Sequence, residues 1–169
     1  MKTDQNKTFD LWLAQHAGIL HHVANGFAEG ADRHDLLQEL MLALWRAIPN
    51  FRGDAQVSTF IYRVAHNTAL TWRRTQRNYR QRLDAYESAV PPPAEERDER
   101  EELVLTQVYA AIRQLPPLDR SLILLHLDGL RYAEIAEIHG LTESNVGARL
   151  SRTKQKLIQT LEALTDELR

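Results

Sequence analysis

The chain of 169 residues is long enough for one ordinary domain or two small ones, and its 43% apolar content permits a core. It has no cysteine, which excludes disulfides, thiolate metal sites and cysteine nucleophiles. The net charge of -2 hides an uneven pattern: residues 51–82 carry +6 and residues 83–104 carry -6, as for a polyanion-binding surface followed by an acidic tether.

Good helix formers fill the regular segments and Gly is sparse at 7, so an all-α fold is expected, built as two small helical domains. The helical spacing of Leu13, Ala17, Leu20 and Ala24 predicts a first helix around Phe9–Phe27. "EGADRHD" breaks it, with Asp32 as the expected N-cap of a second helix, Arg33–Ile48. Leu36, Leu37, Leu40, Leu44 and Ile48 form the buried side of that helix. Pro49 and Gly53 end it, and Ser58 or Thr59 is expected to cap a third helix reaching about Tyr79. Its inward face is read as Phe60, Ile61, Val64, Ala65, Thr68, Ala69 and Trp72.

"SAVPPPAEERDEREE" cannot continue as a helix, and residues 82–98 read as a flexible acidic linker between a domain at 5–81 and another at 99–166. In the second, Leu103, Val104, Val108, Ile112 and Leu115 are expected to form one apolar face. "LPPLDR" breaks that helix, and Asp119 is the candidate N-cap of the short apolar helix that Gly129 ends. No apolar leader opens the chain and no run approaches the roughly 18 apolar residues of a membrane span. A cytoplasmic chain without membrane insertion is therefore expected.

Two stretches point to nucleic acid. The first is "YAEIAEIHGLTESNVGARLSRTKQKL", residues 132–157. It reads as a helix over Tyr132–His139, a turn at Gly140 and a second helix capped by Thr142. Val146, Leu150, Thr153, Leu157 and Leu161 form its buried stripe. Residues 144–156 carry Arg149, Arg152, Lys154 and Lys156 with no acid, which suits a helix lying in a major groove. The second stretch is "FRGDAQVSTFIYRVAHNTALTWRRTQRNYRQR", where aromatic rings alternate with arginines. Rings stack on bases and guanidinium groups meet phosphates, so this pattern suits a single strand. Phe60 and Trp72 fall on the apolar stripe, whereas Phe51 lies in the loop, where the stripe does not demand it.

"DLLQELMLALWRAIPNFRGDAQVSTFIYRVAHNTALTWRR" resembles region 2 of the extracytoplasmic-function sigma factors of the sigma-70 family. "LPPLDRSLILLHLDGLRYAEIAEIHGLTESNVGARLSRTKQKL" resembles their region 4. The resemblance implies a transcription initiation factor that partners bacterial RNA polymerase core and promoter DNA, commonly restrained by an anti-sigma factor, and that is not an enzyme and has no cofactor. It assigns polymerase binding to Asp35, Gln38, Glu39, Leu42, Trp45 and Arg46. It assigns −10 element contact to Phe51, Arg52, Gly53, Asp54, Arg63, Asn67, Arg73 and Arg74. It assigns −35 element contact to Asn145, Arg149, Ser151, Arg152, Lys154 and Lys156. Gly147 and Ala148 depart from the family, which often places polar or basic groups there, and Gly147 costs about 1 kcal/mol of helix propensity.

A stand-alone helix-turn-helix regulator would account for residues 132–157 but not for the "DLLQE" helix or the aromatic-basic stretch. Seven histidines invite a metal hypothesis, but His21 and His22 point to different helix faces and no carboxylate pair matches them, so no metal site is assigned.

Overall fold

The computed structural model describes the backbone of residues 2–83 and 99–167, and the side chains of residues 4–76 and 103–163. Seven α-helices are present among these residues, and no strand. The chain divides into two compact units, Met1–Pro93 and Ala94–Arg169. Most of the stretch read as a linker, residues 82–98, lies outside the described residues.

In the first unit, α1 (Lys2–Phe27), α2 (Gly30–Ala47) and α3 (Val57–Leu83) each pack on the other two. Their shared core is Leu20, Val23, Ala24, Phe27, Leu36, Leu40, Leu44, Ile61, Ala65 and Ala69. Truncating one such buried Leu costs about 2–5 kcal/mol. Three sequence expectations are corrected here. The first helix begins about two turns earlier than Phe9, and it buries Trp12, off the stripe read through Leu13, as well as Phe27. Asp32 is not an N-cap: α2 starts at Gly30, whose φ of 56° lets the chain reverse within Ala28–Gly30. Ser58 and Thr59 lie inside the first turn of α3, whose first intrahelical bond is Phe60 N–H to the Gln56 carbonyl at 3.1 Å.

The loop between α2 and α3 opens with a 3₁₀ turn, Ile48–Asn50. Phe51 follows it and lies half-buried, its ring 5.2 Å from Trp12 and 5.1 Å from Phe60, edge to face. These contacts pin the loop to α1 and α3.

The second unit contains α4 (Glu99–Arg113), α5 (Pro117–Leu127), α6 (Tyr132–His139) and α7 (Glu143–Glu167). Its core gathers Ala111, Ile112, Leu115, Leu122, Ile123, Leu124, Leu125, Ile135, Ile138, Val146 and Leu150. Leu103 and Val104 are exposed, against expectation, because only the C-terminal turns of α4 supply this core. Pro116 and Pro117 start α5, so Asp119 sits in its first turn and is not its cap. Buried Arg120 donates from Nη2 to the carbonyl oxygens of Arg113 and of Leu115, the latter at 2.9 Å. A guanidinium thus satisfies the carbonyls left open where α4 ends.

Candidate nucleic-acid interface

The helix-turn-helix forms as the residues dictate. Glu134 accepts from the Arg131 backbone N–H at 2.8 Å and secures the start of α6. Gly140 ends α6 with φ 67°, a left-handed conformation that a side chain would strain. Leu141 N–H then donates to the Ala136 carbonyl at 2.9 Å. Thr142 accepts through Oγ1 from Asn145 N–H at 3.2 Å, the expected N-cap of α7.

Inside this motif, the Ser121 hydroxyl lies 2.9 Å from His139 Nε2. Burial lowers the His139 imidazole to about 4 from an ordinary 6.5. His126 is lowered too, first by burial and then by the positive charge of Lys154.

On α7, Asn145, Ser151, Arg152 and Lys156 are exposed, with Ser144, Ala148 and Gln155 among them. Arg149 and Lys154 are half-buried. Arg149 Nη1 donates to Asp119 Oδ1 at 2.7 Å and ties α7 to the first turn of α5. Lys154 acts on His126 of α5. The six residues read as a −35 set therefore divide into four presented to solvent and two turned toward the body of the unit. Asp119 was read as a cap, and sequence offers no signal that it partners Arg149 across 30 positions. Gly147 faces Tyr132: a β-carbon there would lie 3.4 Å from the ring, an ordinary contact distance.

In the first unit, Asp35, Gln38, Glu39, Leu42 and Arg46 are exposed along α2, while Trp45 is half-buried. Asp35, Gln38 and Glu39 share one open groove of about 740 Å³ with Asn67, Thr68, Thr71, Trp72, Thr75 and Gln76 of α3. Three residues of the set read for a protein partner and one, Asn67, of the set read for DNA thus line a single groove. Trp72 was read as core but half-buried it lines this groove, and Thr68, Thr71 and Thr75 were not read as site residues. Their spacing of three and four on a helix was the available signal. Asn67 and Arg74 are exposed on α3, whereas Arg63 and Arg73 are half-buried. Arg52, Gly53 and Asp54 are exposed in the loop that Phe51 pins, and Gly53 has φ 78°.

The family model for sigma-70 region 2 matches residues 12–79, and that for sigma-70 region 4 matches residues 105–157. Together they span more than two thirds of the chain. The chain is 28% identical over 174 residues to the ECF RNA polymerase sigma-E factor of Escherichia coli (strain K12), covering 96% of this chain and 91% of that one. It is 27% identical over 169 residues to the ECF RNA polymerase sigma-E factor of Haemophilus influenzae, covering 94% and 89%. In fold it is similar to the sigma factor RpoE crystallised with the anti-sigma factor NepR from Bartonella quintana, with a TM-score of 0.74 and 21% identity over 92% of this chain and 98% of that one. It is also similar to CnrH in complex with the cytosolic domain of CnrY, with a TM-score of 0.64 and 22% identity over 94% and 90%. With both regions matched in order and the helix-turn-helix built residue by residue, the chain belongs to the sigma-70 family and is an RNA polymerase sigma factor of the extracytoplasmic-function type.

Proposed function

We propose that the two units divide promoter recognition, with region 2 at 5–81, a linker at 82–98 and region 4 at 99–166. The observation that carries this reading is the groove shared by α2 and α3. Asp35, Gln38, Glu39, Leu42, Trp45 and Arg46 form the polymerase-docking face of α2. Asn67, Arg63, Arg73 and Arg74 on α3, with Phe51–Asp54 in the loop, face the opened −10 strand. Asn67 of the strand-facing set lies across the groove from Asp35, Gln38 and Glu39 of the docking face, which keeps the strand beside the polymerase when the factor is bound.

In the second unit, Asn145, Ser151, Arg152 and Lys156 meet the −35 duplex, while Arg149 and Lys154 join them by swinging out from the body of the unit, Arg149 leaving Asp119 to do so. Basic side chains on phosphates set position, and the polar residues near the α7 N-terminus meet base edges. Opening is driven by capture of unpaired bases, so the chain hydrolyses nothing and is not an enzyme. It acts in the cytoplasm, where its template is. No helix among the described residues is long and apolar enough to cross a membrane. The two structural neighbours were solved with an anti-sigma factor and with the cytosolic domain of CnrY, and we assign this chain an anti-sigma partner as well.

Run-off transcription with core polymerase tests the whole reading. Added protein is expected to produce starts at a defined promoter subset, and Asp35→Arg is expected to suppress them with the fold intact. Replacing Arg149 and Arg152 by Ala is expected to reduce initiation only where a −35 element is present. Tight, specific binding of a duplex by the protein alone would favour a stand-alone regulator instead.

A further inference from the structure

The first two turns of α1 precede the region that the sigma-70 region 2 model matches, which begins at residue 12. They are nevertheless tied to one residue of the docking face. Trp45 Nε1–H donates to Asn6 Oδ1 at 3.0 Å. Next to it, Gln5 Nε2 donates to the Trp45 backbone carbonyl at 2.7 Å. That carbonyl lies in the last turn of α2, where the helix leaves its own carbonyls without partners. Adjacent residues of α1 therefore hold the Trp45 ring and its backbone at the same time, across about 40 positions of sequence.

The geometry points to Asn6 and Gln5 as positioning residues for polymerase docking: they fix the Trp45 indole in the orientation in which it is presented to the polymerase. This rests on the reading of α2 as the docking face. A half-buried Trp beside exposed Leu42 and Arg46 has the makings of an interface anchor. An anchor already immobilised loses less side-chain freedom when the partner arrives, which raises affinity without any new contact. Asn6 is exposed, so its bond to Trp45 contributes little to the fold and its effect is expected mainly in docking.

The experiment is competition of full-length variants against a labelled wild-type chain for core RNA polymerase. Asn6→Ala is expected to weaken binding about three- to tenfold, the scale of immobilising one large side chain. Asn6→Asp keeps the acceptor and is expected to bind as wild type, whereas Asn6→Leu is expected to behave as Asn6→Ala. Trp45→Phe keeps a ring but removes the N–H, so Asn6→Ala is expected to have no further effect on that background. Urea unfolding followed by tryptophan fluorescence monitors the first unit, which contains Trp12, Trp45 and Trp72. Glu39→Arg separates this inference from the reading beneath it. If Glu39→Arg abolishes binding and Asn6→Ala leaves it unchanged, the positioning role is overturned and the docking face stands. If Asn6→Ala weakens binding equally with Trp45→Phe present, Asn6 acts on the polymerase itself and the inference is again overturned. If Glu39→Arg has no effect, the docking face fails and the positioning role fails with it.

Discussion

Acidification tests the packing of the helix-turn-helix through one side chain. His139 ends α6, next to the turn glycine, with its Nε2 on the buried Ser121 hydroxyl at 2.9 Å. A neutral imidazole can donate to that hydroxyl or accept from it; a protonated one can only donate. Burial lowers His139 from 6.5 to about 4, so between these values the unfolded chain binds the proton and the folded chain resists it. The sign follows: stability is fully present above pH 6.5 and is lost as pH falls toward 4. Linkage gives a loss of about 2 kcal/mol between pH 7 and pH 5, and the partial exposure of the ring trims it to about 1–2 kcal/mol. Urea unfolding at pH 7 and pH 5, with far-UV circular dichroism reporting both helical units and tryptophan fluorescence reporting the first alone, isolates the loss in the second. His139→Gln is expected to flatten most of it, leaving the smaller contribution of His126, which is lowered in the same direction. An NMR titration of the His139 ring gives the direct check. A midpoint near 6.5, or an undiminished pH dependence in His139→Gln, would refute the reasoning.

Other predictions test the frame around the same helix. Gly147→Ala is expected to stabilise the second unit by about 0.5–1 kcal/mol, because the added methyl meets Tyr132 at an ordinary contact distance and removes the flexibility of a mid-helix glycine. A fall in the urea midpoint would mean that the Tyr132 ring cannot adjust. Arg120→Met is expected to cost about 2–4 kcal/mol by leaving the Arg113 and Leu115 carbonyls without their donor. That loss should appear by circular dichroism in the second unit, with the tryptophan fluorescence of the first unchanged. A double-mutant cycle on Asp119 and Arg149 is expected to return a coupling of about 0.5–1 kcal/mol for this partly exposed pair. Strict additivity in unfolding midpoints would show that the pair contributes nothing.

The helix-turn-helix was legible because its signals are local. Gly140 suits the left-handed turn, Thr142 caps the helix three residues ahead of Asn145 N–H, and Val146, Leu150 and Thr153 repeat at helical spacing. Each choice involves neighbours within about one turn, so the order of residues carries it. The all-α class and the "DLLQE" face were legible for the same reason, since helical spacing states which side of α2 stays outside.

Helix starts were less legible, because several residues near each start could cap it and the packed hairpin selects among them. Asp32, Ser58 and Asp119 each had a suitable side chain, but Gly30, Val57 and the Pro116–Pro117 pair begin the helices. Long-range partnerships had no local signature at all. Phe51 joins Trp12 and Phe60, Arg149 meets Asp119, and Trp45 meets Asn6 only once the helices have packed. The sequence by itself determined the helices, most of the buried positions of α2, α3 and α7, and the family. Only the tertiary structure decided which charged and aromatic groups on those helices are presented and which are held. That choice depends on distances between segments far apart in the chain, which spacing along it does not encode.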